Sequence, residues 1–516
     1  MSAGRPTCPQ QAAARRSLAL ALFLPLLAGA VEWTQYRGPT HDGVSVERIN
    51  KNWTGSITNP VWRVQLTNGL TSLTVSGGRV FTQVRRNISG QNKEVCLALS
   101  ATNGVELWAT KVDDNANYSG GVGLTDDGPR STPSVEGGSV YVLSSYHRLW
   151  RLNATNGAVI WTTNLVAGFG GNVIDWQSAA SPLIENGLIF VNANCATGSL
   201  MAFSTTNGTL VWRSQNEGMT HSTPVLATIN GVRQVIFATQ SGLVSLNPQS
   251  GALLWRFSHP FSYEISIGAS PAVCENLVFL AANYSMGAYA VQIVQSNATQ
   301  VPAQLWADPY LKAHWATPVC LQGTVIGPFE PDDDTAELRC IDLQTGQQRW
   351  AVGDFGRGGT MLIGTNLLMI TERGDLVLAE ANTNQYVELQ RFTAIPGFNG
   401  FNNKCWNALA LSDGQLYVRS TAYAARFDLS VPDLKLDPPK PGPAGKLSLT
   451  VRAATGTPLD SNRLTNMSIL ASTNLALSRD VWTKLTNAPV LTNGTASITN
   501  VDAPPPRRYF IVSEPR

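Results

Sequence analysis

ALSATNGVELW, residues 98–108, recurs along the chain as RLNATNGAVIW (151–161), AFSTTNGTLVW (202–212), SLNPQSGALLW (245–255) and CIDLQTGQQRW (340–350). Each copy joins alternating apolar residues to a Thr/Ser-Asn/Gly turn, and a Trp stands four residues after the Gly. A degenerate copy ends at Trp306, and LAEANTNQYVELQRF (378–392) lacks the Trp. NPVWRVQL (59–66), containing Trp62, reads as the last strand of a unit whose beginning lies elsewhere. These landmarks stand 40 to 53 residues apart, a period that marks a repeat architecture.

A second signature opens each unit: STPSV (131–135), ASPLI (180–184), STPVL (222–226), ASPAV (269–273) and ATPVC (316–320). Proline at the first position of a strand costs no ladder hydrogen bond. The runs that follow, VYVLSS, LIFVNA, VIFATQ and LVFLAA, have the branched and aromatic content of strands. Asn-Gly and Ser-Gly supply the positive φ that tight hairpins need. Each unit is therefore expected to be a four-stranded antiparallel sheet, the size of one propeller blade.

The fold class that follows is all-β: an eight-bladed propeller over residues 31–430. Blade eight combines CWNALALSDGQLYVRSTAYAARFDLS (405–430) with the strand around Trp62, which closes the ring and removes its open edges. A single blade cannot bury its own faces, so Trp62, Trp108, Trp161, Trp212, Trp255, Trp306 and Trp350 are expected to fill the wedges between neighbours.

Outside this domain, Arg15 and Arg16 precede an apolar run from Leu18 to Leu27 and an Ala28-Gly29-Ala30 site, so residues 1–30 read as a signal peptide. Export to the periplasm or the cell exterior follows. The run falls short of the ~20 apolar residues of a membrane span, and no other stretch is longer, so no transmembrane segment is expected. VPDLKLDPPKPGPAG (431–445) reads as a Pro-rich linker, and 446–516 as a small β module.

The chain has 516 residues, 14% of them charged, which is too few for a solvated disordered protein. Its 37 basic against 35 acidic residues become 34 against 35 once Arg5, Arg15 and Arg16 are cleaved. No basic excess points to nucleic acid. A monomer is expected. Among the cysteines, Cys320 and Cys340 fall in one repeat and are candidates to pair, while small buried hydrophobes are the reading for most of the others.

The repeated A/L-x-x-x-T/S-x-G-x-x-x-W pattern, with the opening EWTQYRGPTHDGVS (32–45), resembles the PQQ-binding-like β-propeller superfamily in its exported bacterial form. That group includes quinoprotein alcohol dehydrogenases and BamB-like assembly factors. The resemblance covers about residues 32–430. It implies PQQ with calcium as a cofactor if the chain is a dehydrogenase, and envelope protein partners if it is an assembly factor.

Motif chemistry is sparse. The adjacent cysteine pair on which the quinone stacks in the dehydrogenases is missing, and GxSxG, HExxH, Walker A and zinc-type spacings are absent. Asp113-x-Asn115-x-Asn117 opens like a calcium loop, but Tyr118 and Leu124 break the pattern, so it reads as an inter-blade loop. Glu330, Asp332, Asp333 and Asp334 read as a solvated hairpin tip.

The segments before successive innermost strands converge on one mouth of the channel. They carry Arg130, Trp176, Gln177, His221, His314, Trp315, Arg357, Lys404 and Trp406, with Asp175 and Glu264 as nearby acids. Such a basic and aromatic funnel suits an anionic or sugar-like ligand; strand capping and channel packing explain the same residues without one. The function read from the sequence is a non-catalytic binding or assembly scaffold with envelope proteins or glycans as partners. The alternatives are a PQQ-dependent oxidoreductase and a carbohydrate-binding accessory protein.

Overall fold

A computed structural model describes residues 31–514 apart from 54, 119–126, 262–266, 285, 298, 331–335, 400–401, 457, 460 and 503–507. The expected signal peptide (1–30), Leu124, Glu264 and Asp332 to Asp334 lie outside the described residues. Among the described residues, eight sheets, each with four antiparallel strands, follow one another along the chain, and in the seventh a short parallel strand makes a fifth. Blade 1 is built from Thr74–Ser76, Arg79–Ile88, Gln91–Ser100 and Glu106–Asp113. The innermost strands of blades 2 to 7 are Ser134–Glu136, Leu183–Glu185, Val225–Ile229, Ala272–Cys274, Val319–Leu321 and Thr360–Ile363. In blade 8, Ala410–Ser412, Gln415–Arg419 and Tyr423–Asp428 come from the end of the ring and Trp62–Gln65 from its beginning. Trp62 pairs opposite Arg426 there, so the two ends of the domain are fastened in one sheet.

The repeated sequence pattern is a clasp between blades. The outer-strand indole of one blade donates to a main-chain oxygen in the turn of the next: Trp62 to Ala101 at 2.9 Å, Trp108 to Ala154 at 3.1 Å, Trp161 to Thr205 at 3.1 Å, Trp212 to Pro248 at 2.9 Å, Trp306 to Leu343 at 2.8 Å and Trp350 to Asn382 at 3.1 Å. The turn glycine lies against the ring. A Cβ on Gly157 would stand 2.6 Å from Trp108, and one on Gly251 2.6 Å from Trp212. Both glycines also have φ near +70°, a conformation that L side chains rarely adopt. Trp255 departs from the rule and donates to Gln234 within its own blade at 2.6 Å. Blade 5 ends in a long hairpin, Gly287–Ser296 with Thr299–Asp308, in place of the short turn whose main-chain oxygen accepts the indole in the other blades.

Residues 33–45 cross the channel as a strap. Trp33 exchanges both main-chain hydrogen bonds with Val75 in blade 1, and Thr34 accepts from Val135 in blade 2. The side-chain amide of Gln35 brackets the main chain of Ile184 in blade 3. Arg37 donates to the Pro318 oxygen at the start of blade 6, and Val44–Ser45 adds a parallel strand to blade 7 opposite Leu362 and Ile363. The strap thus satisfies inner-edge peptide groups that would otherwise face the channel unpaired. It divides the channel into two compartments.

The expected cysteine pairing is corrected. Cys320 bonds to Cys274, with a Cα–Cα distance of 5.7 Å, and joins the inner strands of blades 5 and 6. Cys340 is a buried free thiol. Cys320 and Cys340 sit on the first and third strands of one blade with Thr324–Phe329 between them. Two strand spacings, roughly 9–10 Å, exceed the reach of a disulfide. Residues 431–445 contribute two edge strands, Leu434–Leu436 and Lys440–Pro441, both paired with Leu447–Ala453. The prolines here are compatible with this because only one side of an edge strand needs N–H donors.

Beyond residue 446 two small sheets enclose their own core of Leu449, Val451, Met467, Ile469, Ile498 and Val501. Among the described residues, no helix is long and apolar enough to cross a membrane.

Candidate functional site

Loops that lead into the innermost strands ring a cavity of about 300 Å³ on one side of the strap. Arg130, Trp176, His221, His314, Trp315, Lys404 and Trp406 line it, from blades 2, 3, 4, 6 and 8. Arg357 lies behind this lining, with its guanidinium 5.7 Å from the Trp315 ring and 6.0 Å from the Trp406 ring. Gln177 is outside the lining too, its Oε1 buried without a hydrogen-bond partner. Asp175 is exposed. Trp176 and Gln177 both have positive φ, and the oxygen of Trp176 accepts from Arg130 at 2.8 Å.

Aromatic rings form one wall. His314 lies 3.8 Å from Trp315, and Trp315 lies 4.4 Å from Trp406, with interplanar angles of 35° and 34°. Lys404 Nζ is 4.6 Å from the Trp406 ring centroid, within cation–π range. Trp406 Nε1 donates to Glu372 at 2.6 Å, while the Trp315 nitrogen, also buried, has no hydrogen-bond partner.

The charges are paired. Asp127 accepts from Lys404 at 2.8 and 3.0 Å and lies 4.0 Å from Arg130. Glu330 accepts from Arg357 at 3.2 Å and from Asn283 at 2.9 Å. Glu330 is only 3% exposed, which corrects its expected place at a solvated tip: its carboxylate is buried against Arg357. Burial raises the Glu330 pKa, and the neighbouring guanidinium opposes the shift. Burial lowers His221 and His314 to about 3, helped by the charges of Arg130 and Arg357 respectively. Both imidazoles are neutral at ordinary pH.

The sequence reading missed Tyr36, Asp127 and Tyr284, all of which line the cavity. Tyr36 comes from the strap. Asp127 stands three residues before Arg130 in the same inter-blade segment, so its proximity was open to reading.

The residues fit a quinone of the PQQ type in part. The indoles and cations suit a flat polyanion. The only disulfide among the described residues, Cys274–Cys320, borders the compartment on the other side of the strap. No group of three or more His, Cys, Asp or Glu side chains among the described residues is placed to hold a metal ion.

A ring of eight four-stranded blades, clasped by tryptophan on glycine turns and opening into a basic aromatic funnel, defines the PQQ-like class of β-propeller. The family model described as outer membrane protein assembly factor BamB matches residues 91–352, half of the chain, and the chain belongs to that BamB/PQQ-like propeller family. It is 24% identical over 255 residues to the outer membrane protein assembly factor BamB of Yersinia pestis, a match covering 44% of this chain and 58% of that protein. Two solved structures share the fold. The quinohemoprotein alcohol dehydrogenase of Comamonas testosteroni aligns with a TM-score of 0.56 at 14% identity, over 80% of this chain and 84% of its own. The quinohemoprotein alcohol dehydrogenase ADHIIG of Pseudomonas putida HK5 aligns at 0.51 and 14%, over 80% and 82%.

Proposed function

We propose that this protein is an exported, non-catalytic propeller that serves as a binding scaffold in the bacterial envelope, with the funnel as its recognition site for acidic groups of a partner protein. The observation that carries this reading is the state of the funnel's ionisable side chains. Asp127 and Glu330 are held in ion pairs, and burial keeps His221 and His314 neutral. A general base needs a pKa near working pH and an open approach to its proton, and these groups lack that combination. Cations beside indole faces suit recognition of carboxylates. Membership of the BamB-like family supports the assembly side of the reading, and the apolar run at 18–27 supports export.

A quinone-dependent oxidoreductase is the second reading, favoured by the contiguous faces of Trp315 and Trp406 under cationic side chains. Titration of the mature protein with PQQ and calcium, followed by absorbance and tryptophan fluorescence, separates the two. Lack of saturable quinone binding, together with co-purification of envelope proteins that Lys404→Ala abolishes, supports the scaffold. Saturable quinone binding lost in Trp315→Ala overturns it in favour of the enzyme.

A further inference from the structure

Across the strap from the funnel lies a second cavity, of about 360 Å³. Its walls are Arg37, Thr40, His41 and Asp42 from the strap and the inner strands of blades 4 and 5 around Val225–Thr228 and Ala272–Val273, with Arg233 at the rim. The strap hydrogen-bonds to blades 1, 2, 3, 6 and 7, and the inner strands of blades 4 and 5 face this space. A volume of this order is within the range of small-ligand sites.

Arg37 is the anomaly here. Its side chain is 4% exposed. One terminal nitrogen donates to the main-chain oxygens of Asp42 at 2.7 Å and Pro318 at 2.8 Å. The other is buried without a hydrogen-bond partner, and among the described residues no carboxylate lies within ion-pair distance of the guanidinium. The nearest candidate, Asp42, directs its carboxylate into its own turn, accepting from the Thr40 hydroxyl at 2.7 Å and the Val44 amide at 3.0 Å. Burying a cation without a paired counter-charge costs several kcal/mol, and the main-chain acceptors and the charge of Asp42 oppose the effect of burial only in part. His41 is buried beside it with Nδ1 unpartnered. Arg233 adds positive charge at the rim while pairing with Glu185.

We propose that this lower cavity is a second binding site, distinct from the funnel, for a small ligand bearing one oxyanion group, a carboxylate or a phosphate, which supplies the missing counter-charge to Arg37. The unpartnered terminal nitrogen of Arg37 is the donor such a group would accept from, in a charge-assisted hydrogen bond. Glu275, exposed at the mouth, disfavours polyanions and limits the site to small ligands.

The test is calorimetric titration of the mature full-length protein with inorganic phosphate and, separately, with acetate, in a buffer free of other oxyanions. Saturable binding of either probe is expected, with phosphate and acetate distinguishing the two chemistries. Affinity falls at least about tenfold in Arg37→Gln, the equivalent of one charge-assisted hydrogen bond, and is unchanged in the funnel variant Lys404→Ala. Arg37 also anchors the strap, so circular dichroism checks that Arg37→Gln is folded. If it is not, His41→Ala and Arg233→Gln take its place, each expected to weaken binding severalfold. No saturable binding of either probe up to roughly ten millimolar overturns the proposal. So does binding that survives in folded Arg37→Gln, or binding that Lys404→Ala removes.

Discussion

The indole of Trp212 lies on Gly251 of the next blade, donating to the Pro248 oxygen at 2.9 Å while the glycine leaves no Cβ between ring and backbone. The same contact recurs around the ring and makes blade-to-blade cohesion depend on two positions four residues apart within each copy of the motif. Trp212→Ala is expected to lower stability by about 3–5 kcal/mol. Gly251→Ala is expected to cost about 2–4 kcal/mol, because it adds backbone strain at positive φ to a clash with the ring. Chemical denaturation measures both, and a Gly251→Ala midpoint equal to that of the unaltered protein would falsify the clasp.

The Cys274–Cys320 disulfide closes a loop between adjacent blades with a sequence separation of 46. Loop-closure reasoning assigns it roughly 2–4 kcal/mol. Reductant should therefore lower the melting temperature, and Cys274→Ser should reproduce the loss. Cys340→Ala, which keeps the disulfide, is predicted to respond to reductant as the unaltered protein does. An effect of reductant that persists in Cys274→Ser would place the relevant bond elsewhere.

Stability should peak between pH 6 and 7. Burial lowers His41, His221 and His314 to about 3 and His147 to about 4, against 6.5 in the unfolded chain. Below pH 6.5 the unfolded chain takes up protons that the fold refuses, so stability falls with acidification by up to about 1.4 kcal/mol per pH unit for each such group. Glu94 acts in the opposite sense: burial, then the charge of Asp113, raises it from 4.5 to about 8. Between those values the unfolded chain has lost a proton that the fold retains, and stability falls as pH rises. Thermal midpoints from pH 4 to 9 should trace this maximum. Glu94→Gln should flatten the alkaline side, and an unchanged slope in that variant would show that Glu94 does not cause the decline.

Glu514 ties the C-terminal module to the propeller. It lies 2.7 Å from Arg48, in the segment after the strap, and 2.5 Å from Arg463 within the module. Glu514→Ala is expected to remove about 1–2 kcal/mol of docking and to speed proteolysis between residues 431 and 445. Proteolysis at the original rate would mean that the paired edge strands alone hold the module in place.

Much of the ring was legible because its contacts are local and repeated. A Thr/Ser-Asn/Gly turn followed by Trp specifies a hairpin and its docking partner within eleven residues, and eight blades follow from counting. The funnel loops were legible for the same reason, since equivalent positions in a ring must converge. Particular pairings were not. Glu330 belongs with Arg357, Cys320 with Cys274, and the Pro-rich segment with Leu447–Ala453, and each depends on which side of a blade a residue faces and what stands opposite.

The sequence by itself determined the class of fold, the number of blades and the closure through Trp62, because periodic hydrophobicity and turn chemistry act over a few residues. Only the tertiary structure decided that residues 33–45 divide the channel, with Tyr36 lining the funnel on one side and Arg37 the lower cavity on the other. Those contacts join residues hundreds of positions apart, Arg37 to Pro318 and Val44 to Leu362 among them. No local pattern encodes such a pairing; it exists only once the ring has closed and left unpaired inner edges for the strap to satisfy.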